Sequence, residues 1–372
     1  MPTPELSNAA PAGSAQAALM TLIRRQIAQA GGWLPFDRFM ALALYAPGLG
    51  YYANASRKFG HMPESGSDFV TAPELSPWFG RALAAQVDQA MTVTDTREVW
   101  EFGAGTGALA SQLLAALGDR VQRYTIVDVS GHLRARQQET LAAYAHQVQW
   151  VDRLPEQMQG VVVGNEVLDA MPVQLLARIG GVWHARGVVW SQAAGVFAYE
   201  DRPTDARPPV EIEGEHDYVT EVHPQGEAFV RTLADRLTRG AVFLIDYGFP
   251  EAEYYHPQRH MGTLICHQAH RADPDVLSDV GAKDITAHVN FTGIALAGQE
   301  AGLHVLGYTS QAHFLINCGL PAFLEDAEFA QRHMAQKLIT EHEMGELFKV
   351  IAFGTSEWVP LGFASGDRTH RL

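Results

Sequence analysis

Residues 101–110 read EFGAGTGALA, and the purpose of their glycines decides the fold. An apolar run ending in Val99-Trp100 precedes them, and ALASQLLAAL, a helical pattern, follows. Strand, glycine turn and helix in that order set backbone amides at a helix N-terminus against a polar ligand. The spacing Gly103-x-Gly105-x-x-Ala108, with Asp128 about 20 residues past Ala108, satisfies the dinucleotide fingerprint. A turn that serves only close helix–strand packing would use glycine too. Glu101 argues against the dinucleotide: a pyrophosphate, with about two negative charges, would meet a carboxylate at the strand's end.

Outward from this turn the rhythm is strand and helix. REVWEFG, QRYTIVDVS, VQWVD and GVVVGNE are short β-rich runs, with helical patterns between the earlier ones. EAFVRTLADRLTRG and AVFLIDYG resume the alternation, and LHVLGYT and LFKVIAFG add two late strands around a long helical stretch. That pattern predicts a parallel sheet covered on both faces, a Rossmann-like α/β core. VQLLARIGGVWHARGVVWSQAAGVFAYE reads instead as two or three antiparallel strands turning at Gly180-Gly181. Upstream, AALMTLIRRQIAQAGG and FDRFMALALYAP read as helices ended by Gly31-Gly32 and Pro47. The expected organisation is a disordered tail (1–14), an N-terminal helical cap with a lid loop (15–96), a core in two parts (97–172 and 215–372) and a β-hairpin insertion (173–214).

Composition bounds the function. The chain has 372 residues, 47% hydrophobic and 19% charged, enough for a sizeable core. A net charge of −15, with no Lys/Arg-rich run, disfavours nucleic acid and anionic membranes, and suits plain solubility or a basic partner. Cys266 and Cys318 stand far apart without a CxxC, which argues against a disulfide scaffold and a cysteine zinc site and for a reducing compartment. No apolar run reaches membrane-spanning length, and MPTPELSNAAPAGSAQ lacks secretory or mitochondrial leader features, so a cytoplasmic location is expected. The apolar GGVWHARGVVW stretch is open to three readings: a partner's docking site, a homodimer contact or a cover for the core. Histidines 256, 260, 267 and 270 lack compact metal-site spacing, and TLICHQ reads as a strand whose alternate residues face opposite sides. No metal is expected.

A carboxylate at Glu101 suits an ammonium group, and S-adenosylmethionine carries one beside its sulfonium. Asp128, ending YTIVD, suits a ribose diol because a carboxylate accepts from both hydroxyls. EFGAGTG followed by that acid resembles the first two motifs of the Rossmann-like methyltransferases. The likeness extends along the chain. SDFVTAPELSPWFG, EFGAGTG, VDVSGHLRARQ, GNEVLDAMPV, VFLIDYG, MGTLICHQAH, DITAHVNFTGIA and MGELFKV, in this order, resemble the MidA family over roughly residues 16–355. That family includes the mitochondrial methyltransferase required for assembly of respiratory complex I. The resemblance implies a class I fold, S-adenosyl-L-methionine as cofactor and, by analogy with the mitochondrial relative, methylation of an arginine in a complex I subunit. Two positions depart from it: Asp128 is more often Glu, and GAG stands where relatives often have GPG.

An arginine acceptor stays protonated, so carboxylates must hold its fork and localise charge away from the reacting nitrogen. Glu166 is the first candidate for that clamp, and the second carboxylate is open among Asp169, Glu221 and Asp246. Asp169 and Asn165 could instead cap a following helix, and Asp246-Tyr247-Gly248 could be a strand-end turn. The cofactor candidates are Glu101, Gly103, Gly105, Gly107, Asp128, Asn165 and Thr71, with Asp152 for the adenine amino group. The loop 60–74, holding Asp68, Phe69, Thr71 and Glu74, is a candidate lid, although Thr71 or Ser76 also suits a helix cap. A small-molecule methyltransferase and a cofactor-binding assembly module without turnover are the rival readings.

Overall fold

The chain opens with a helix pair. α1 (Ala12–Gln29) ends before Gly31-Gly32 and α2 (Phe36–Tyr45) before Pro47, with the two-residue strand β1 (Leu34–Pro35) between them. The computed structural model describes residues 12–54, 71–128, 131–268, 271–325 and 327–372. Asp68, Phe69, His270 and most of the tail expected over 1–14 lie outside them, and α1 already begins at Ala12. After the single turn α3 (Ala72–Leu75), α4 (Pro77–Val93) starts on Ser76, whose hydroxyl accepts the Trp78 amide at 3.4 Å, with Pro77 in the first turn.

Strands and helices then alternate: β2 (Glu98–Phe102), α5 (Ala108–Leu117), β3 (Arg123–Val127), α6 (Gly131–Thr140), β4 (Val148–Val151) and β5 (Met158–Asn165). β6 (Gln174–Ile179), β7 (Val182–Ser191), β8 (Val196–Pro203) and β9 (Tyr218–Val222) interrupt them. α7 (Pro224–Arg236), β10 (Leu237–Phe249) and α8 (Glu251–Tyr254) return to the core. A second excursion, β11 (Ile265–Gln268), β12 (Arg271–Asp273) and β13 (Asp284–Thr286), forms a small antiparallel sheet. β14 (Val289–Asn290), α9 (Phe291–Glu300), β15 (His304–Ser310), α10 (Gln311–Asn317), α11 (Leu320–Phe323), α12 (Phe329–Lys337) and β16 (Phe348–Gly354) complete the core.

The central sheet runs β4-β3-β2-β5-β10-β16-β15, with β14 extending the end of β10. β2, β3, β4, β5 and β10 pair in parallel, and β16 lies antiparallel to both its neighbours. The run Val161-Val162-Val163 explains why β5 is central. Val161 and Val163 pack with α4 and α5 through Phe79, Leu83, Leu109 and Leu113, while Val162 packs with α7 and α9 through Val230, Leu233, Phe291 and Ile294. β10 splits the same way, Phe243 and Ile245 to one face and Val242 and Leu244 to the other. A strand buried on both faces must be apolar throughout, so it reads as an unbroken run. Each fully buried side chain of this size contributes about 1.5–3 kcal/mol.

The accessory lobe has its own core. Its sheet runs β1-β7-β6-β9, with β8 on the other side of β7, and Gly180 and Gly181, both at positive φ, make the two-residue turn between β6 and β7. β9 lies past residue 214 and pairs with β6, so the accessory sheet takes in residues beyond the pattern read over 173–214. α1 and α2 lie on this sheet: Leu19, Ile23, Phe36, Phe39 and Met40 share one apolar cluster with Leu175, Val188 and Phe197, and also with Cys266 and Ile285 of the small sheet. Val188 is fully buried there, so this part of the GGVWHARGVVW stretch covers a core.

Candidate active site

Strand order reverses at β2 and β5, and in open α/β sheets the crevice beyond such carboxyl ends receives the ligand. β2 ends there on Glu101 and Phe102, followed by Gly103 and Gly105 with φ of 63° and 53°. An L side chain in that conformation costs about 1–2 kcal/mol. A Cβ built on Gly105 meets nothing within 4 Å, because this glycine borders a cavity of about 880 Å³. Gly107, with φ of 84°, starts α5 and packs toward Gln137 and Leu141 rather than lining the cavity. Its expected cofactor contact is therefore replaced by a structural role at the helix start.

Glu101 is buried, and its carboxylate accepts the Tyr124 hydroxyl at 2.7 Å. Burial pushes its pKa up to about 8, the tyrosine pulls it down, and Asp128 adds to the rise. A cation beside such a group would favour its ionised form. Asp128 follows β3 and accepts Gln137 Nε2 at 2.8 Å; the same amide nitrogen donates to the Gly105 carbonyl at 3.0 Å. Trp150 Nε1 in turn donates to Gln137 Oε1 at 2.9 Å. Gln137 is fully buried and ties the glycine loop, Asp128 and β4 into one unit. In sequence it reads as one more polar residue of GHLRARQQET, with no signal of this role.

At the end of β5 the backbone turns sharply. Glu166 has φ of 53°, a strain of order 1–3 kcal/mol for a non-glycine residue, and its amide donates to the Ile245 carbonyl at 2.8 Å. Asp246 holds the turn in place. Its Oδ2 accepts the amides of Val167, Leu168 and Asp169 at 3.1, 2.9 and 3.2 Å, and its Oδ1 accepts the Tyr247 amide at 3.0 Å. Asp246 does not line the cavity, so its candidacy as a clamp is corrected: its oxygens are committed to backbone. Glu221 is corrected for the same reason. It is buried in β9 and accepts the Thr263 and Leu264 amides at 2.8 and 3.0 Å, with the Thr263 and Tyr254 hydroxyls each at 3.1 Å.

Glu166 and Asp169 do line the cavity. Residues 166–173 form a turn and not a helix, so neither Asn165 nor Asp169 is a helix cap. Asn165 Nδ2 donates to Glu166 Oε1 at 3.0 Å, and the Tyr247 hydroxyl donates to Asp169 Oδ2 at 2.6 Å. Asp169 Oδ1 and Asn165 Oδ1 are buried and make no hydrogen bond among the described residues. Burial and Asp169 push the Glu166 pKa up to about 8, against the Asn165 side chain and the Ala72 amide. Burial pushes Asp169 up to about 6, against the Tyr247 hydroxyl.

Thr71, Asp152 and Asn165 line the same cavity, as do Pro73 and Glu74 of the proposed lid. Several lining residues carry no assignment from the sequence. Tyr45 and Tyr52 enter from the helical cap, their rings stacked at 5.6 Å; Ile265, His267, Asp284 and Thr286 enter from the small sheet. His288 sits between Tyr247 and Phe249, and burial with the nearby Arg259 and Lys349 pushes its pKa down to about 4. Asp284 opens the quoted motif DITAHVNFTGIA, which singled it out without a role. Among the described residues no group of three or more His, Cys, Asp or Glu is arranged to hold a metal.

The residues present fit a cationic, amino-acid-bearing nucleoside: a raised carboxyl at Glu101, a braced acid at Asp128 and an unpartnered Asn165 oxygen border one cavity. Comparison with known proteins agrees. A family model described as "Putative S-adenosyl-L-methionine-dependent methyltransferase" matches residues 79–309. A protein from Burkholderia thailandensis, crystallised with S-adenosyl-homocysteine bound, is 49% identical, with a TM-score of 0.92 and full coverage of both chains. The mitochondrial protein arginine methyltransferase NDUFAF7 of Danio rerio is 27% identical over 86% of this chain and 83% of its own length. The Caenorhabditis elegans NDUFAF7 homolog, also named a protein arginine methyltransferase, is 25% identical over 91% and 88%.

Proposed function

The chain belongs to this family of S-adenosyl-L-methionine-dependent methyltransferases, and on that premise we propose that its acceptor is an arginine guanidinium of a protein substrate. The observation that carries the proposal is the pair Glu166 and Asp169: two carboxyls with raised pKa in one cavity, one with an oxygen that has no partner. S-adenosylmethionine, when bound, supplies a methyl group already activated on a sulfonium. Glu101 would pair with its ammonium, Asp128 with its ribose hydroxyls, and Asp152, Asn165 and Thr71 would border the rest.

The chain's own task is alignment and proton management. Glu166 and Asp169, once a guanidinium enters, become carboxylates and hold two edges of its planar fork. Charge then concentrates on the held nitrogens, and the third gains lone-pair character. As that nitrogen takes the methyl group it releases one proton, which Glu166 or the unpartnered Asp169 Oδ1 accepts. A carboxyl with a pKa between about 6 and 8 can take the proton and return it to solvent near neutral pH.

The MidA resemblance extends the proposal to a complex I subunit as substrate. The two buried, unpaired cysteines support the cytoplasm as compartment. The test is transfer of labelled methyl from S-adenosylmethionine to arginine-containing peptides and to complex I subunits, read by mass spectrometry of hydrolysates. Methylarginine formed by the parent and lost in Glu166→Gln supports the reading. Label on another residue, or on a small molecule alone, overturns it.

A further inference from the structure

We propose that Asp284, held by Tyr52, is a third carboxylate that recognises the cationic acceptor, a specificity residue contributed by the accessory lobe and not by the methyltransferase core. This rests on the arginine reading above. The small sheet is amphipathic by register. Ile265 pairs with Thr286 and His267 with Asp284, and all four line the cavity, while the intervening Cys266 and Ile285 pair and pack into the apolar cluster beneath α1 and α2. Asp284 is thus aimed at the cavity by strand alternation, at only 3% exposure.

Three contacts fix this wall against the clamp. The Tyr52 hydroxyl lies 2.9 and 2.8 Å from the two Asp284 oxygens. The Tyr45 hydroxyl donates to the Ala170 carbonyl at 2.8 Å, beside Asp169, and the Ala287 amide donates to the Asp169 carbonyl at 3.0 Å. An independent observation points to an occupant: Asp169 lines the same cavity at 4% exposure, and its buried Oδ1 makes no hydrogen bond among the described residues. Three carboxyls and two tyrosines around one buried space suit a delocalised cation, whose planar face packs on aromatic rings while its edges meet oxygens. A neutral isostere of the same shape would leave Glu166 and Asp169 without the counter-charge that a guanidinium brings.

The test is binding, read by NMR titration of the S-adenosylhomocysteine-loaded protein with N-acetyl-arginine amide and with the neutral N-acetyl-citrulline amide. Asp284→Asn should weaken the arginine probe roughly 10- to 100-fold, as loss of one charged contact does, and leave S-adenosylhomocysteine affinity within about twofold. Tyr52→Phe, which keeps the ring, should weaken it roughly 3- to 10-fold and serves if Asp284→Asn does not fold. If Glu166→Gln loses the arginine probe while Asp284→Asn and Tyr52→Phe bind it like the parent, Asp284 is only wall, and the arginine reading stands without it. If the parent does not prefer arginine to citrulline, the arginine reading fails and this inference with it. Parallel loss of S-adenosylhomocysteine in both variants would overturn the inference by making the pair a general support of the cavity.

Discussion

Two regions of this molecule hold buried carboxylates at or near strand ends, and they use them oppositely. At Asp246 and Glu221 every available oxygen meets backbone amides or hydroxyls: four amide contacts at the first, two amides and two hydroxyls at the second. At Glu166 and Asp169 the side-chain partners are one amide and one tyrosine hydroxyl, the Ala72 amide assists Glu166, and the buried Asp169 Oδ1 makes no hydrogen bond among the described residues. Burial is similar for Asp246 and Asp169, at 1% and 4% exposure, so burial alone does not separate the roles. The number of donors already satisfied does. A saturated carboxylate braces the fold, and an unsaturated one beside a cavity has capacity for a ligand.

That contrast breaks most visibly in activity. Glu166→Gln or Asp169→Asn should lower methyl transfer to arginine by about 10²–10⁴-fold, the range for a lost proton acceptor, without lowering the unfolding midpoint. Activity near the parental level would show that the open carboxylates are not the reacting pair. The saturated side should fail the other way. Asp246→Ala strands the Val167, Leu168 and Asp169 amides, and each stranded buried donor costs about 1–3 kcal/mol, so a loss of about 3 kcal/mol or more is expected in denaturant unfolding. Parental stability in that variant would sink the saturation criterion. Glu101 is an intermediate case, with one hydroxyl partner and a border on the cavity. Glu101→Gln should weaken S-adenosylmethionine roughly 10- to 100-fold in calorimetric titration and change stability little. Unchanged affinity would remove the ammonium from its assignment.

The same contrast explains what the sequence could show. β5 and β10 are legible because strands covered on both faces cannot avoid apolar runs, and the residues that end them are then strand-end candidates. Glu101, Asp128, Asn165 and Glu166 follow directly, and all reach the cavity. Asp246 is equally a strand-end acid, but its partners are amides 77 to 79 residues away, in the turn that follows Glu166 and its φ of 53°. Nothing local encodes that encounter. Tyr45, Tyr52 and Asp284 meet although Tyr52 and Asp284 are 232 residues apart and Tyr45 lies further upstream still, because the helical cap and the small sheet share one apolar cluster. The alternation in TLICHQ does show which of its residues share a face, but not that the face borders the site.

The smallest effect tests the contrast without any substrate. Glu166 has its pKa raised from an ordinary 4.5 to about 8, chiefly by burial, and Asp169 from 3.8 to about 6. Between the unfolded and folded values the ligand-free folded state holds more protons than the unfolded chain. Its stability is therefore greatest below the ordinary carboxyl range and declines as pH rises, through about 6 for Asp169 and about 8 for Glu166. Glu166→Gln removes one titrating group whose charged form the fold disfavours, so its unfolding midpoint should fall less steeply than the parent's between pH 5 and pH 8. A guanidinium in the cavity would favour both carboxylates and flatten the parental profile in the same direction. Parent and Glu166→Gln profiles with equal slopes would mean that Glu166 is already satisfied in the free protein, and the difference between the two regions would disappear.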